Sequence, residues 1–210
     1  MQVIIIANPQ QEQEIRQKDT NKEMQLIFKN ELPPVEELQK AESIFIINNK
    51  SGAINFTDFK DLPVYINSVI DTLSDLNLPS NVSRINGWNG FLQRDIWEIA
   101  ANDQETAEGI FKALGWKTVF VKDQPGFIAA RVISRIINEA FFALGENVST
   151  KEEIDLAMKL GTNYPYGPFE WAEKIGTKNI FDLLNRLKKE NIMYEPAPAL
   201  QKNFKSIEEK

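Results

Sequence analysis

The chain has 210 residues, 42% of them hydrophobic and 26% charged, which suits one large or two small folded domains and excludes a chain disordered throughout. Cysteine and histidine are absent, so disulfides, thiolate metal sites and any mechanism that needs an imidazole are excluded. A formal net charge of −6 with no basic stripe argues against nucleic acid and membranes as partners, and we expect no metal site.

The first half of the chain alternates short apolar runs with helical patterns, which is typical of a mostly parallel sheet with helices around it. Strands are predicted at residues 3–7, 24–28, 43–47, 64–66, 96–99 and 117–121. Helices are predicted at residues 8–18, 33–39 and 103–114, the last with Asn102 and Glu105 as a capping box and Gly115 as its end. We therefore expect an α/β domain over residues 1–121. Its first apolar run is too short to span a membrane and lacks the basic flank of a signal peptide, so we expect a cytoplasmic protein.

The strand patterns stop after residue 121, and residues 122–210 are predicted to form an all-helical domain. Helices are expected at residues 125–144, 150–160, 168–174 and 178–189, the second of these ending at Gly161. The polar, proline-containing tail from Glu195 is expected to be loosely held.

Five segments of this helical half resemble the C-terminal domain of the 3-hydroxyacyl-CoA dehydrogenases. They are the runs KDQPGFI at 122–128, INEA at 137–140, KEEIDLAMKLG at 151–161, YPYGPFE at 164–170 and PAPAL at 196–200. The resemblance implies a Rossmann-like α/β domain followed by an all-helical dehydrogenase-type domain that forms a homodimer. The family's CoA-binding arm has no counterpart in residues 31–42, so we expect the first domain to be reduced.

In this family a G-x-G-x-x-G turn after the first strand holds the pyrophosphate of NAD. The three glycine positions correspond here to Ala7, Pro9 and Glu12. Proline removes an amide donor and fixes φ, and the glutamate places a carboxylate where a phosphate would sit. We expect no bound cofactor; the alternative is that a variant loop still binds NAD in a rearranged way.

The resemblance also locates the family's catalytic and substrate-binding positions. Residues 84–91 resemble the family's R-x-x-G-x-H-F-F run, which puts Asn89 at the catalytic histidine. Glu98 occupies the position of the glutamate that orients this histidine, and is either an inherited strand residue or a retained base. Ser68 corresponds to the substrate-binding serine, or is an ordinary serine at a strand end. Ala130 replaces the substrate-positioning asparagine.

Two apolar features of the helical half each allow two interpretations. The helix from 125 to 144 carries a broad apolar face that is either a dimer surface or core; it comprises Ile133, Ile136, Ile137, Ala140, Phe141 and Leu144. The aromatic cluster of Tyr164, Tyr166, Phe169 and Trp171 is a rigid structural corner or a ligand platform.

Three functions follow from these patterns. The first is a dehydrogenase-like protein without NAD binding or catalysis that acts as a dimeric binding or assembly module. The second is an active NAD-dependent oxidoreductase on a 3-hydroxyacyl-CoA or a related small hydroxy substrate. The third is a sensor that binds an acyl-CoA or another small ligand without turnover.

Overall fold

The computed structural model describes residues 2–48, 54–59 and 62–208. It forms two compact units, Met1–Phe127 and Ile128–Lys210. The segment after the last strand belongs to the first unit because it is bonded there. The Gly126 amide donates to the Val69 carbonyl over 2.7 Å, and the Asp123 carboxylate pairs with the Arg84 guanidinium.

The first unit is built on a sheet of seven described strands in the order β2-β1-β3-β4-β5-β6-β7. Every neighbouring pair is parallel except β5 and β6, which are antiparallel. The strands are β1 (Gln2–Ile6), β2 (Gln25–Lys29), β3 (Ser43–Ile46), β4 (Val64–Asn67), β5 (Val82–Ile85), β6 (Ile96–Ala100) and β7 (Lys117–Phe120). The expected Rossmann-like, mostly parallel α/β fold is confirmed. Strand β5 was not predicted, because Ser83 and Arg84 interrupt its apolar run although both are buried.

Helices cover both faces of this sheet, since successive strand residues contribute alternately to two apolar cores. The described helices of this unit are α1 (Pro9–Arg16), α2 (Val35–Leu38), α3 (Gln104–Leu114) and a 3₁₀ turn at Phe56–Phe59. The predicted cap of α3 was wrong by one residue. Asp103, not Asn102, accepts a hydrogen bond from the Thr106 amide at 3.0 Å.

The second unit is entirely helical, as expected. Its helices are α4 (Ala129–Gly145), α5 (Lys151–Thr162), α6 (Pro168–Ile175), α7 (Thr177–Lys188) and α8 (Pro198–Glu208), with a 3₁₀ turn at Ile192–Tyr194. Helix α4 begins later than predicted because Gly126 and Phe127 have φ of 85° and 49°. Helix α5 continues through Gly161 and ends where Asn163 turns into the left-handed region at φ 55°.

The tail after Glu195 is not loosely held, contrary to the sequence prediction. The side chain of Asn138 in α4 donates to the Glu195 carbonyl at 2.9 Å and accepts from the Ala197 amide at 2.8 Å. Ala197 and Leu200 are fully buried. Helix α8 was not predicted because most of its residues are polar, and the burial of Leu200 and of the preceding Ala197 depends on packing against other helices of the unit.

The broad apolar face of α4 is mostly core of its own unit. Ile133, Ile137, Ala140 and Phe141 are all 6% exposed or less. The aromatic corner is also packed inside the unit, where Phe141 meets Phe169 and Tyr166 meets Trp171, each pair with 5.0 Å between ring centroids. In the described part of the chain, no helix is both long and apolar enough to cross a membrane.

Candidate functional site at the carboxyl edge of the sheet

The carboxyl ends of β1, β3, β4 and β5 lie along one edge of the sheet because these strands are parallel. The chain leaves β1 toward β2 on one side, and β3 lies on the other side of β1. This reversal is the topological switch point at which doubly wound folds bind ligands. Polar side chains from separate parts of the first unit meet along this edge.

The N-terminus of α1 at this edge is closed by its own residues. The Asn8 side-chain oxygen accepts from the Gln11 amide, and the Gln11 side-chain oxygen accepts from the Asn8 amide, each at 2.9 Å. Pro9 occupies the first helical position and has no amide hydrogen. The side-chain nitrogen of Gln11 also donates to the Ile47 carbonyl at 3.2 Å. Donors that a phosphate could use at a free helix end are thus largely committed.

Ala7 and Glu12, the other two glycine-loop positions, flank this turn. Ala7 is 1% exposed, and its amide donates to the Lys29 carbonyl over 2.9 Å. Glu12 lies half-buried on α1 and forms an ion pair with Arg16 at 2.7 Å. The Glu12 carboxylate therefore lies beside the turn and is paired with the Arg16 guanidinium.

Asn67, at the end of β4, joins three neighbouring strand ends. Its side-chain nitrogen donates to the Ile47 carbonyl at 3.2 Å, and its side-chain oxygen accepts from the Gly87 amide at 3.1 Å. A Cβ atom on Gly87 would come within 2.9 Å of the Asn67 side chain, so glycine is required there. The family resemblance points to the adjacent Ser68 and not to Asn67, although a polar residue at the end of a buried strand is itself a signal of a site.

Glu98 of β6 faces the end of β5 because these two strands are antiparallel. Its Oε2 accepts a hydrogen bond from the Asn86 side-chain nitrogen at 3.1 Å. The Asn86 side-chain oxygen is buried and has no hydrogen-bond partner among the described residues. Asn86 and Glu98 therefore form a half-buried polar pair at the carboxyl edge.

Asn89 and Gly90 lie in a turn in which the Phe91 amide donates to the Trp88 carbonyl at 3.0 Å. Gly90 has φ 86°, and its amide donates to both carboxylate oxygens of Glu14 at 2.8 Å. Glu14 lies on α1 and is only 8% exposed. The turn that carries Asn89 is thus fastened to the same helix whose N-terminus lies at the switch point.

Ser68 and Ala130 complete the set of predicted site positions. The Ser68 hydroxyl donates to the Asp71 carbonyl at 2.8 Å, within its own turn. Ala130 is in α4 of the second unit and is fully buried. Six of the seven predicted residues belong to the first unit and are brought to its carboxyl edge, whereas Ala130 belongs to the other unit.

Arg84, inside the motif at 84–91, has a structural environment that its sequence position did not reveal. It is fully buried and pairs with Asp123, and its Nε donates to the Ser68 carbonyl at 2.8 Å. Its guanidinium lies 4.7 Å from the centre of the Phe127 ring. Burial lowers the pKa of Arg84, and the Asp123 carboxylate opposes that shift. The buried cation thereby ties β5 to the turn after β4 and to the segment after β7.

Among the described residues, no group of three histidine, cysteine, aspartate or glutamate side chains could hold a metal ion. The carboxyl edge instead offers carboxamides and the carboxylates of Glu12, Glu14 and Glu98. Such groups can bind hydrogen-bonding ligands, but carboxamides cannot accept a proton at neutral pH.

Comparisons with known proteins agree with the resemblance found in the sequence. Residues 126–208 match the family model described as 3-hydroxyacyl-CoA dehydrogenase, C-terminal domain. Human mitochondrial hydroxyacyl-coenzyme A dehydrogenase is 41% identical over 114 residues, which cover 51% of this chain and 36% of that enzyme. The 3-hydroxybutyryl-CoA dehydrogenase of Clostridioides difficile is 30% identical over 143 residues, 64% of this chain and 51% of that enzyme. The chain thus spans between about a third and a half of these two relatives.

Solved structures of similar proteins support the fold. The (S)-3-hydroxybutyryl-CoA dehydrogenase of Ralstonia eutropha superposes with a TM-score of 0.66 at 22% identity, over 84% of this chain and 69% of that one. FadB2 of M. tuberculosis superposes with a TM-score of 0.69 at 16% identity, over 86% and 70%. The match to the 3-hydroxyacyl-CoA dehydrogenase family model lies in residues 126–208, almost all of them in the second unit, and the solved structures show that the fold is shared.

Proposed function

We propose that this chain is a relative of the 3-hydroxyacyl-CoA dehydrogenases that has lost NAD binding and catalysis and acts as a dimeric binding or assembly module. The observation that carries the proposal is the closed N-terminus of α1. In dinucleotide-binding folds the pyrophosphate takes its hydrogen bonds from this helix end. Here the backbone amides of Asn8 and Gln11 each donate to the other residue's side-chain oxygen, and Pro9 has no amide hydrogen.

The residues of this turn do not fit a dinucleotide pyrophosphate in the manner of the family. The Gln11 side chain is held toward the end of β3 by its bond to Ile47. Glu12 adds negative charge next to the place where the phosphates would lie, and its pairing with Arg16 only partly offsets this. Binding NAD here would require opening the capping box and displacing a buried side chain.

Catalysis by the family's chemistry lacks its general base. Asn89 stands where the histidine would be and cannot take up the hydroxyl proton. A positioned general base contributes roughly 10²–10⁴-fold to a rate, and the substrate-positioning asparagine is alanine at 130 as well. The carboxylate of Glu98 already accepts a hydrogen bond from the Asn86 side chain.

Calorimetric titration with NADH, together with an assay of acetoacetyl-CoA reduction, tests this proposal. We expect no saturable heat and no turnover, with the Ralstonia eutropha 3-hydroxybutyryl-CoA dehydrogenase measured alongside as the active control. Asn89→His alone should also remain inactive because the turn and Ala130 are unchanged. Micromolar NADH binding by the unmodified protein would overturn the proposal.

An active NAD-dependent oxidoreductase with Glu98 as base is the second candidate. The observation in its favour is the buried side-chain oxygen of Asn86, which has no hydrogen-bond partner in the described part of the chain and lies beside Glu98 at the carboxyl edge. Under this candidate Glu98→Gln would abolish NADH-dependent turnover of a small hydroxy or acyl-CoA substrate. Under the leading proposal the same variant changes nothing, because there is no turnover to lose.

A thermal-shift panel of NAD, NADH, CoA and acetoacetyl-CoA separates the assembly module from a sensor. A ligand at a hundred times its Kd should stabilise the folded protein by about 2.7 kcal/mol. A response to CoA compounds alone would favour an acyl-CoA sensor. If the protein is an assembly module, none of the four ligands should raise its melting temperature.

The dimer part of the proposal rests on exposed apolar side chains of the second unit. Val132 on α4 is 51% exposed, and Leu156 and Leu160, one turn apart on α5, are 54% and 79% exposed. Pairing with a second copy would bury such a surface in an isologous interface. We expect light scattering to give twice the chain mass of 24.0 kDa. The variant Leu160→Glu should halve that mass, whereas Glu152→Lys on the same helix should not; a monomer for the unmodified protein would refute the dimer.

A further inference from the structure

A cavity of about 270 Å³ lies at the amino edge of the sheet, away from the carboxyl edge. Pro63 precedes β4 and Ser80 precedes β5, which places the cavity where these parallel strands begin. The first turn of α3 lines the other side through Asp103 and Thr106. All of these residues belong to the first unit, and none of them is part of the candidate site at the carboxyl edge.

Tyr65 lines this cavity and carries an unsatisfied polar group. The residue is 1% exposed, and its hydroxyl has no hydrogen-bond partner among the described residues. Tyr65 is paired in register with Ser83 of β5, so both side chains are on the face that α3 covers, and Ser83 lines the cavity too. Buried hydroxyls in native proteins nearly always have a hydrogen-bond partner. The partner that the Tyr65 hydroxyl lacks here is therefore a candidate for an atom of a bound ligand.

Asp103 supplies the cavity with a negative charge. Its carboxylate accepts hydrogen bonds from the Thr106 amide at 3.0 Å and the Thr106 hydroxyl at 2.7 Å, and these bonds lower the pKa of Asp103. Burial raises the pKa of Tyr65 and the Asp103 carboxylate adds to the shift, so the tyrosine hydroxyl stays protonated. Among the described residues that line the cavity there is no lysine or arginine.

We propose that this cavity binds a small organic ammonium ion, which donates hydrogen bonds to the Asp103 carboxylate and the Tyr65 hydroxyl. An ionised carboxylate without a lining cation disfavours phosphate and carboxylate ligands and favours a cation. The hydroxyls of Ser83 and Tyr65 can accept from further N–H groups. Pro63 and Ala107 provide apolar surface for a carbon chain. At roughly 30 Å³ per water molecule the volume holds about nine waters, enough for an amine of several carbon atoms.

Butylammonium and 1-butanol, two probes of equal chain length, test the proposal at constant ionic strength. Binding is followed by the amide chemical shifts of Thr106 and Ala107 in ¹H–¹⁵N spectra. We expect saturable shifts with butylammonium and at least tenfold weaker binding of 1-butanol. Asp103→Asn should weaken butylammonium binding at least tenfold while keeping the fold, because asparagine caps a helix as well as aspartate does.

Two further variants separate a ligand site from general charge attraction. Tyr65→Phe removes only the unpartnered hydroxyl, so the fold should survive while the affinity for butylammonium falls severalfold. Glu108→Gln makes the same charge change on α3 at an exposed position outside the cavity lining, and it should leave the affinity unchanged. Equal binding of both probes, no saturable shift, or an unaltered affinity in Asp103→Asn would overturn the proposal and leave a hydrated cavity.

Discussion

The side-chain nitrogen of Gln11 lies 3.2 Å from the carbonyl oxygen of Ile47, so a residue of α1 bonds to the end of β3. The same carbonyl accepts from Asn67 at 3.2 Å. Two carboxamides from different elements thus converge on one carbonyl at the switch point of the sheet. The edge where this fold would receive a dinucleotide is held together by the protein's own side chains.

Replacing Gln11 by alanine should destabilise the first unit by about 1–2 kcal/mol. The change leaves the Asn8 amide without its partner and removes one bond to Ile47, and such losses cost about 1 kcal/mol each. The cost stays modest because Asn67 still satisfies the Ile47 carbonyl. Urea unfolding followed by tryptophan fluorescence checks this, with Gln10→Ala, an exposed neighbour, as the near-neutral control. NADH binding should not appear in the variant, because Pro9 remains.

Replacing Arg84 by methionine should be far more costly, because it breaks a buried ion pair. Removing one partner of such a pair typically costs about 3–5 kcal/mol. Asp123 is 27% exposed and can be partly hydrated, so we expect a value near the low end, about 3 kcal/mol. Lys29→Met removes a half-exposed partner of Glu37 and should cost less than about 1 kcal/mol. Equal stabilities of the two variants in urea would contradict the structural role of Arg84.

The ammonium of Lys18 should titrate near pH 8. Burial lowers the pKa of Lys18 from 10.5 to about 8, and Asp95 opposes the shift. Since the folded pKa is below the unfolded one, the unfolded state binds more protons between about pH 8 and 10.5. The free energy of unfolding therefore rises as the pH rises through that window. Below about pH 8 the destabilisation caused by burying the charged Lys18 is fully present.

Tryptophan fluorescence reports this titration, because the Lys18 nitrogen lies 5.2 Å from the Trp97 ring centre and 5.8 Å from that of Trp116. We expect an emission change with a midpoint near pH 8 that Lys18→Met abolishes and the exposed control Lys22→Met retains. The unfolding free energy of the unmodified protein should also rise relative to Lys18→Met between pH 8 and 10. A flat emission profile would show that the side chain keeps its ordinary pKa.

Two glycine-to-alanine substitutions in the second unit should change its free energy of unfolding in opposite directions. A Cβ on Gly167 would lie 2.3 Å from Oδ1 of Asp155, whose carboxylate accepts from the Phe169 amide at 2.8 Å and so caps α6. Gly167→Ala must displace this cap and should cost about 1–3 kcal/mol. Gly161 lies in α5 with nothing within 4 Å of the added atom, so Gly161→Ala should stabilise by up to about 1 kcal/mol. Circular dichroism during urea unfolding measures both changes.

Local patterns predicted much of the fold. Six of the seven described strands follow the apolar runs of the sequence, because a strand buried between two helical layers is continuously apolar. Strand β5 and helix α8 escaped prediction for a common reason: their burial depends on distant partners. Arg84 can be buried in β5 only because Asp123 neutralises it, and the start of α8 is fixed by Asn138.

By itself, the sequence determined the absence of imidazole and thiol chemistry and the succession of an α/β and a helical half, since these follow from composition and local pattern. The correspondence of Ala7, Pro9 and Glu12 to the family's glycine positions rests on the family resemblance and stays a prediction. The tertiary structure alone decided which polar groups meet. Gln11 reaches Ile47 across 36 residues, Arg84 reaches Asp123 across 39, and Glu14 accepts from Gly90 across 76. Such contacts depend on strand order and register, which are set by the packing of the whole sheet. They produce no hydrophobic periodicity that could be recognised in the sequence.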